Sequence, residues 1–357
     1  MEATEQLVVP GWWSALFERC PNASIFLSSA WLETWLAIYG SEFEKWWIHW
    51  RRGEVIVGGC LLLSRRVRVG GLVMKTLYLN ATGQAGQLTP MAEFNDVLHC
   101  PGYTELIAAD LARILESMSW SRLALSGYEP GGVLARSVEL LPRAHIDCSA
   151  RPAPYVDLRA LPDVPFEKTV KGKSGTWIRR NRRIHNERFG TVLLTKPASL
   201  AEALDSFSEL VELNRRRWAG AAVTTFAAPA VVDFHRGLIE RLWASGAVDL
   251  LRVASEGRVV GFLYNFVLRN KVSVFQTGFN YGADSRLSPG LLAHSLAIEH
   301  YRASGEREYD FLAGDALYKR TLAKCQRELR WAVLYRDQGW VRVVLAARRL
   351  KHHLLGN

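Results

Sequence analysis

The stretch from Val272 to Lys319 constrains the fold of this chain more than any other. The apolar run VSVFQTGF predicts a strand, and the loop that follows it ends in Arg286-Leu287-Ser288-Pro289-Gly290. The segment LLAHSLAIEHYRASG then predicts a helix, and EYDFLAG predicts a short strand that leads into Tyr318-Lys319. The first N–H groups of a helix have no intrahelical partner and lie at the positive end of the helix dipole. This order therefore predicts a site for a phosphate-bearing donor, formed by residues 286–291.

Two other segments predict that the chain contains two similar domains. At 357 residues the chain is too long for one ordinary core. FEKWWIHW followed by RRGEVIVGGC, and VDLLRVA followed by SEGRVVGFLY, each predict a hairpin, and a third strand follows both. A chance likeness of two hairpins is the alternative. The proline-rich segment 152–165 predicts a junction, so we expect domains at 1–160 and 161–357, with the donor site in the second.

The remaining elements alternate between the two kinds of periodicity. In the second half, helices are predicted at about 199–217, 229–244, 290–304 and 315–324, and strands at about 308–312 and 331–336. In the first half, helices are predicted at about 29–40 and 103–118, with a strand at about 122–127. Strands connected by crossover helices predict the α/β class with mixed sheets.

Composition excludes several classes of protein. The five cysteines lie far apart without a CxxC pair, which argues against a disulfide framework and a zinc site, and no metal is expected. No apolar run approaches the roughly 20 residues that span a bilayer, so no integral membrane segment is expected. The N-terminus lacks the pattern of a secretory signal, which favours a cytoplasmic location.

Seven short motifs together resemble a known group of enzymes. In chain order they are FLSSAW at 26–31, PYVDL at 154–158, RRRW at 215–218, FH at 234–235, SPG at 288–290, YDFLAGD at 309–315 and YK at 318–319. Their order resembles tandem GNAT-like acyltransferases of the FemAB-like group, and within it the CelD (BcsL)-type acetyltransferases of bacterial polysaccharide gene clusters. The resemblance implies transfer of an acyl group, typically acetyl from acetyl-CoA or another acyl-CoA, to an amine or hydroxyl of a small-molecule or saccharide precursor.

The donor loop departs from the usual GNAT pattern, which leaves two other functions open. Only Arg286 and Gly290 of a glycine-rich phosphate loop remain, and Pro289 lacks an N–H. FemAB-like relatives use aminoacyl-tRNA instead of coenzyme A, so an aminoacyl transferase is the first alternative. A non-catalytic scaffold in polysaccharide biosynthesis is the second.

The resemblance also implies roles for individual residues. Tyr318 occupies the position at which many GNAT enzymes carry a tyrosine that protonates the leaving thiolate. Asp310 and His235 are candidates for accepting a proton from the acceptor or orienting it, although a structural role suits either. Lys319 is expected to bind a donor phosphate or an acceptor carboxylate. Trp218 is a candidate for lining the acceptor cleft, although anchoring in the core is the favoured interpretation.

Two basic segments suggest further contacts. Residues 168–188 contain eight cations and, in Glu187, one acid. Such a segment predicts binding of a polyanion, with tRNA as one possibility, and Arg179, Arg180 and Arg183 as the substrate contacts; a solvated helix face is the alternative. Residues 342–353 predict a basic amphipathic helix that contacts either an anionic membrane surface or the second domain.

Overall fold

The computed structural model describes residues 8–84, 90–141, 144–220, 225–256, 258–282 and 287–336. These residues form two compact units. Apart from the gaps just given, the first comprises 8–84, 91–150 and 329–336, and the second comprises 151–328. The division therefore falls somewhat before the expected boundary at 161, and the end of the described chain returns to the first unit. Arg286 and the helix expected at 342–353 lie outside the described residues.

In the first unit, five strands pair in series, and one of the pairs is parallel. Its helices are α1 (Gly11–Arg19), α2 (Ser29–Tyr39), α3 (Thr104–Ser117) and α4 (Val133–Leu140). Its strands are β1 (Glu44–Arg52), β2 (Val55–Val69), β3 (Leu72–Leu79), β4 (Leu98–His99), β5 (Arg122–Tyr128) and the end of β12 (Cys325–Arg336). The strand order is β1-β2-β3-β5-β12, with β4 beside β2, and only β3 and β5 run parallel.

The second unit repeats this plan. Its helices are α5 (Phe166–Thr169), α6 (Gly172–Phe189), α7 (Leu200–Arg217), α8 (Pro229–Trp243), α9 (Pro289–Ala303) and α10 (Leu317–Leu322). Its strands are the end of β6 (Ala144–Asp157), β7 (Leu193–Thr195), β8 (Val248–Ser255), β9 (Arg258–Leu268), β10 (Lys271–Phe279) and β11 (Glu308–Asp310). The order is β6-β11-β10-β9-β8-β7, and β10 and β11 form the parallel pair.

The repeat confirms the predicted fold class of tandem α/β domains with mixed sheets. In each unit three antiparallel strands are followed by a helix and a fourth strand parallel to the third: β1-β2-β3-α3-β5 and β8-β9-β10-α9-β11. A parallel pair needs a crossover connection, which α3 and α9 provide. The hairpin likeness in the sequence therefore reflects the architecture.

Segment 152–165, predicted as a junction, begins as strand rather than loop. Residues 155–157 of β6 pair antiparallel with β11. Pro152 and Pro154 are compatible with this because each contributes only its carbonyl, which accepts from the N–H of Gly314 and Phe311 respectively. A proline is tolerated in a strand where no N–H has to be donated.

Local sequence explains where α7 begins and how closely it packs on β10. The N-cap Ser199 hydroxyl accepts from the N–H of Glu202 at 3.2 Å, and the Glu202 carboxylate accepts from the N–H of Ala198 at 2.9 Å, an arrangement similar to a capping box. Asn214 at the other end donates to the carbonyl of Thr277 at 3.2 Å. A Cβ at Gly278 would lie 2.5 Å from the backbone oxygen of Leu210, so only glycine allows α7 to come this close to β10.

Gly278→Ala is therefore expected to destabilise the second unit. The added methyl group would push α7 away from β10, and we expect the free energy of unfolding to fall by about 1–3 kcal/mol. Urea unfolding followed by circular dichroism measures the change. The matched control is Gly131→Ala, where no atom lies within 4 Å of the added Cβ. An equal effect of both substitutions would contradict the close packing of α7.

Candidate active site

The strands β10 and β11 pair over three residues and then part. Lys271–Ser273 pair with Glu308–Asp310, whereas residues 274–279 of β10 continue without a described partner on that edge. The register of β10 against β9 shifts between Val274 and Gln276, so Phe275 forms a bulge. Bulges occur next to active sites, where they redirect side chains and end strand pairing. The backbone of 274–279 is therefore available to a ligand.

A buried ion-pair network closes the paired end of the two strands. The Asp310 side chain has no solvent exposure, and its Oδ2 lies 2.8 Å from Lys271 Nζ and 3.1 Å from Arg327 Nη1. Its Oδ1 accepts from the N–H of Leu312 at 2.7 Å. Both oxygens of this predicted catalytic residue are thus engaged in holding the start of the loop that follows β11.

The predicted donor loop leads into α9 as the sequence indicated. Ser288 precedes the helix without capping it through its side chain, and Pro289 is the first helical residue. Gly290 lies against Phe279 of β10, since a Cβ there would be 3.2 Å from the ring. Leu291 is buried in the core of the second unit, and Leu287 is half-buried. Pro289 is favourable at this position because the N–H that it lacks would have no helix partner.

Tyr318 is placed on α10, close to α9. Its ring stacks on the ring of His294, with centroids 5.2 Å apart and an interplanar angle of 9°, and meets Phe311 edge-on at 5.9 Å. Burial, reinforced by nearby Tyr281, raises the pKa of Tyr318 to about 12. None of the described residues hydrogen-bonds with its hydroxyl. The phenol is therefore protonated at neutral pH and free to donate to a ligand.

His294 is a site residue that the sequence reasoning did not select. It is fully buried, its Nδ1 lies 2.9 Å from the hydroxyl of Tyr309, and its Nε2 has no partner among the described residues. Burial, with the nearby charge of Lys319, lowers its pKa to about 3, which keeps the imidazole neutral. The available signal was its spacing, since it follows Gly290 by one helical turn and so shares a face with it.

Lys319 supports the loop between β11 and α10. Its Nζ donates to the carbonyls of Leu312 at 3.2 Å and Ala313 at 2.7 Å. Leu312 has a positive φ of 58°, a conformation that a branched residue rarely adopts. The ammonium group thus holds a strained loop beside Tyr318.

The structure does not bring His235 beside Tyr318. His235 lies on α8, fully buried, 3.3 Å from the hydroxyl of Tyr264 and against the ring of Phe275 at 4.7 Å. Phe275 and Gly278 face α7 and α8, whereas Val272 and Val274 pack in the cluster that contains α9. The two predicted catalytic residues therefore lie on opposite faces of the sheet.

Trp218 and the arginines of α6 are exposed. Trp218, just after α7, is 50% exposed, so it does not anchor the core. Arg179, Arg180 and Arg183 lie on the exposed face of α6, and Arg183 pairs with Glu187 at 3.2 Å. Arg182 fixes α6 through Glu167 at 3.0 Å and Glu299 of α9 at 3.6 Å.

In the part of the chain that the structure describes, no His, Cys, Asp and Glu side chains are grouped so that they could hold a metal ion. None of the described helices combines the length and the apolarity that crossing a membrane requires.

The comparisons with known proteins agree with this arrangement. Residues 173–320 match the family model of the acetyltransferase (GNAT) domain, which extends from α6 into α10 and includes Asp310, His294 and Tyr318 but not Arg327. No curated protein matches the sequence significantly. Among solved structures, FemX superposes with a TM-score of 0.58 at 11% identity, covering 93% of this chain and 97% of that one. L-PGS from Bacillus licheniformis superposes with a TM-score of 0.55 at 12% identity, covering 96% of each chain. These structures share the fold; the matched GNAT domain identifies the protein as an acyltransferase.

The buried histidines predict how the stability of the protein depends on pH. Burial lowers the pKa of His235 to about 3, whereas an unfolded histidine titrates near 6.5. Between these values the unfolded state binds more protons, so stability falls as the pH drops from about 6.5. Between pH 6 and 4, the free energy of unfolding should therefore decrease less steeply with falling pH in His235→Phe than in wild type, by roughly 1 kcal/mol per pH unit. Urea unfolding at several pH values measures this dependence. Identical slopes for the two proteins would contradict a neutral, buried His235.

Proposed function

We propose that the protein transfers an acyl group, typically acetyl, from an acyl-CoA to an amine or hydroxyl of a small-molecule or saccharide acceptor. The observation that carries the proposal is the free hydroxyl of Tyr318 beside α9 and the open length of β10. These are the parts that direct acyl transfer needs: a proton donor, an anion site and unpaired backbone N–H groups.

The donor is proposed to bind along β10 and at the start of α9. Its phosphates would contact the first turn, where the N–H groups of Gly290 and Leu291 precede the first intrahelical bond, from Leu292 to Ser288. A backbone N–H in the open stretch 274–279 would donate to the acyl carbonyl oxygen, on which negative charge develops during attack. Arg286, Leu287 and Ser288 complete the proposed donor loop.

The chemical step needs no covalent enzyme intermediate. The acceptor nitrogen or oxygen attacks the carbonyl carbon, and the carbon–sulfur bond breaks with its electron pair on sulfur. The Tyr318 hydroxyl gives its proton to that thiolate, and the proton lost by the acceptor restores the phenol. One proton thus moves from the acceptor to coenzyme A. Lys319 and Asp310 would keep the loop that carries Tyr318 in place rather than react.

An aminoacyl-tRNA donor is the second candidate, since the FemAB-like resemblance implies it and α6 favours it. Arg179, Arg180 and Arg183 are exposed on one helix together with Trp177, which is 43% exposed. Cations beside an exposed aromatic ring suit a nucleic acid, because the ring can stack on a base. The CelD-type resemblance instead suggests an acceptor from polysaccharide biosynthesis.

Removal of the Tyr318 hydroxyl tests the proposed acid. Tyr318→Phe is expected to lower kcat by roughly 100-fold or more, because the thiolate would leave without a proton. Stability should change by less than about 0.5 kcal/mol, since the hydroxyl has no described partner. Release of coenzyme A from acetyl-CoA is the measurement, and Tyr103→Phe in the first unit is the control. Unchanged kcat in Tyr318→Phe would remove Tyr318 from the mechanism.

Binding measurements distinguish an acyl-CoA donor from an aminoacyl-tRNA donor. With the proposed function, acetyl-CoA raises the melting temperature of the protein, because a ligand of the folded state stabilises it. The second candidate predicts that tRNA binds with a strong salt dependence, and that joint replacement of Arg179, Arg180 and Arg183 by Gln reduces the salt slope by up to about 3. Binding of neither acyl-CoA nor tRNA would contradict both donors and favour a scaffold.

A further inference from the structure

Arg217, at the end of α7, contacts two aromatic rings. Its guanidinium carbon lies 4.4 Å from the ring centroid of Tyr281 and 5.7 Å from that of Trp218. All three side chains are exposed, Trp218 by 50% and Tyr281 by 49%. A guanidinium that uses its flat faces for stacking keeps its N–H edge available for a hydrogen-bond acceptor.

The neighbouring arginines have hydrogen-bonding partners, whereas among the described residues Arg217 has no hydrogen-bond or ion-pair partner. Arg216 pairs with Glu212 at 2.8 Å, and Arg215 donates to the carbonyl of Phe226 at 3.1 Å. None of the described carboxylates pairs with Arg217. A planar guanidinium binds carboxylates and phosphates through two parallel hydrogen bonds, so the free edge of Arg217 is suited to an oxyanion.

The backbone around Arg217 is fixed relative to the candidate site. Asn214, one turn before Arg217, donates to the carbonyl of Thr277 in the open stretch of β10. Gly278 allows α7 to contact β10 directly. Tyr281 lies two residues after the end of β10, and its ring centroid is 6.3 Å from that of Phe279. Its phenol also raises the pKa of Tyr318 electrostatically. Arg217 therefore lies near the end of the open stretch of β10.

We propose that Arg217, which contacts the rings of Trp218 and Tyr281, binds a carboxylate or phosphate group that the acceptor carries. This rests on the proposed function and extends it by naming the class of acceptor, an anionic amine or alcohol. Tyr281 and Trp218 hold the guanidinium in place, so the cost of ordering a long side chain is met before the acceptor binds.

Titration calorimetry with a matched set of amines tests the proposal. The full-length protein is saturated with coenzyme A, so that the donor site is occupied, and glucosamine, glucosamine 6-phosphate and glucosaminic acid are titrated in turn. We expect one of the two anionic compounds to bind at least about tenfold more tightly than glucosamine, and which one does so distinguishes phosphate from carboxylate. Arg217→Gln should lose this preference, while Arg216→Gln, which removes the same charge from a neighbouring paired arginine, should keep it.

The same titrations contain the outcomes that would overturn the proposal. The proposal is wrong if Arg217→Gln prefers the anionic amine over glucosamine as strongly as wild type does. It is also wrong if wild type binds all three amines with equal affinity, or binds neither anionic compound. A tenfold loss of coenzyme A affinity in Arg217→Gln would instead assign the residue to the donor. If wild type failed to bind coenzyme A, the proposed donor would be wrong, whereas the anion preference would still be measured in titrations without it.

Discussion

The short parallel pairing of β10 with β11 is the constraint on which the proposed donor site of the second unit depends. Three residue pairs hold the strands together, and at that end the buried carboxylate of Asp310 pairs with the partly exposed cations of Lys271 and Arg327. Loss of both cations would leave an uncompensated buried charge, which costs about 3–5 kcal/mol. The network thus fixes where the strands part, and everything beyond that point follows: the open edge of β10, the loop after β11 and the position of Tyr318.

The two units share an order of elements but differ in the chemistry at the crossover helix. In the first unit, α3 has Glu105 in its first turn, and the hydroxyl of Thr104 is engaged with His99. In the second, α9 has no acid in its first turn and is preceded by the open strand. A negative charge at a helix N-terminus opposes binding of a phosphate. This difference supports a donor site in the second unit.

The sequence predicted the elements better than it predicted their partners. The periodic segments of α7, α8 and α9 lie within a residue or so of the predicted bounds, because local patterns specify them. The strand β6 was not predicted, because its prolines are more typical of a junction than of a strand. Its pairing with β11 joins segments far apart in the sequence, so no local pattern indicates it. Likewise, apart from the spacing of His294 from Gly290, the sequence does not separate His235 from His294. Both lie on apolar helices, and only the tertiary structure puts one against Phe275 and the other against Tyr318.

The position of Tyr318 in the sequence suggested its role but not the reason that its hydroxyl stays protonated. Its place after the last strand of the site suggested an acid, but the physical reason that it stays protonated comes from burial and from Tyr281. Arg217 belongs to the RRRW motif, but nothing in the sequence separates it from Arg215 and Arg216. What distinguishes it is that Arg216 has a carboxylate partner and Arg217 has two rings.

Amide hydrogen exchange with and without acetyl-CoA tests the central claim most directly. If the donor occupies the open edge of β10 and the start of α9, acetyl-CoA should slow exchange within 274–279 and at Gly290 and Leu291, and leave the first turn of α3 unchanged. Protection confined to the first unit, or none in either, would contradict the account.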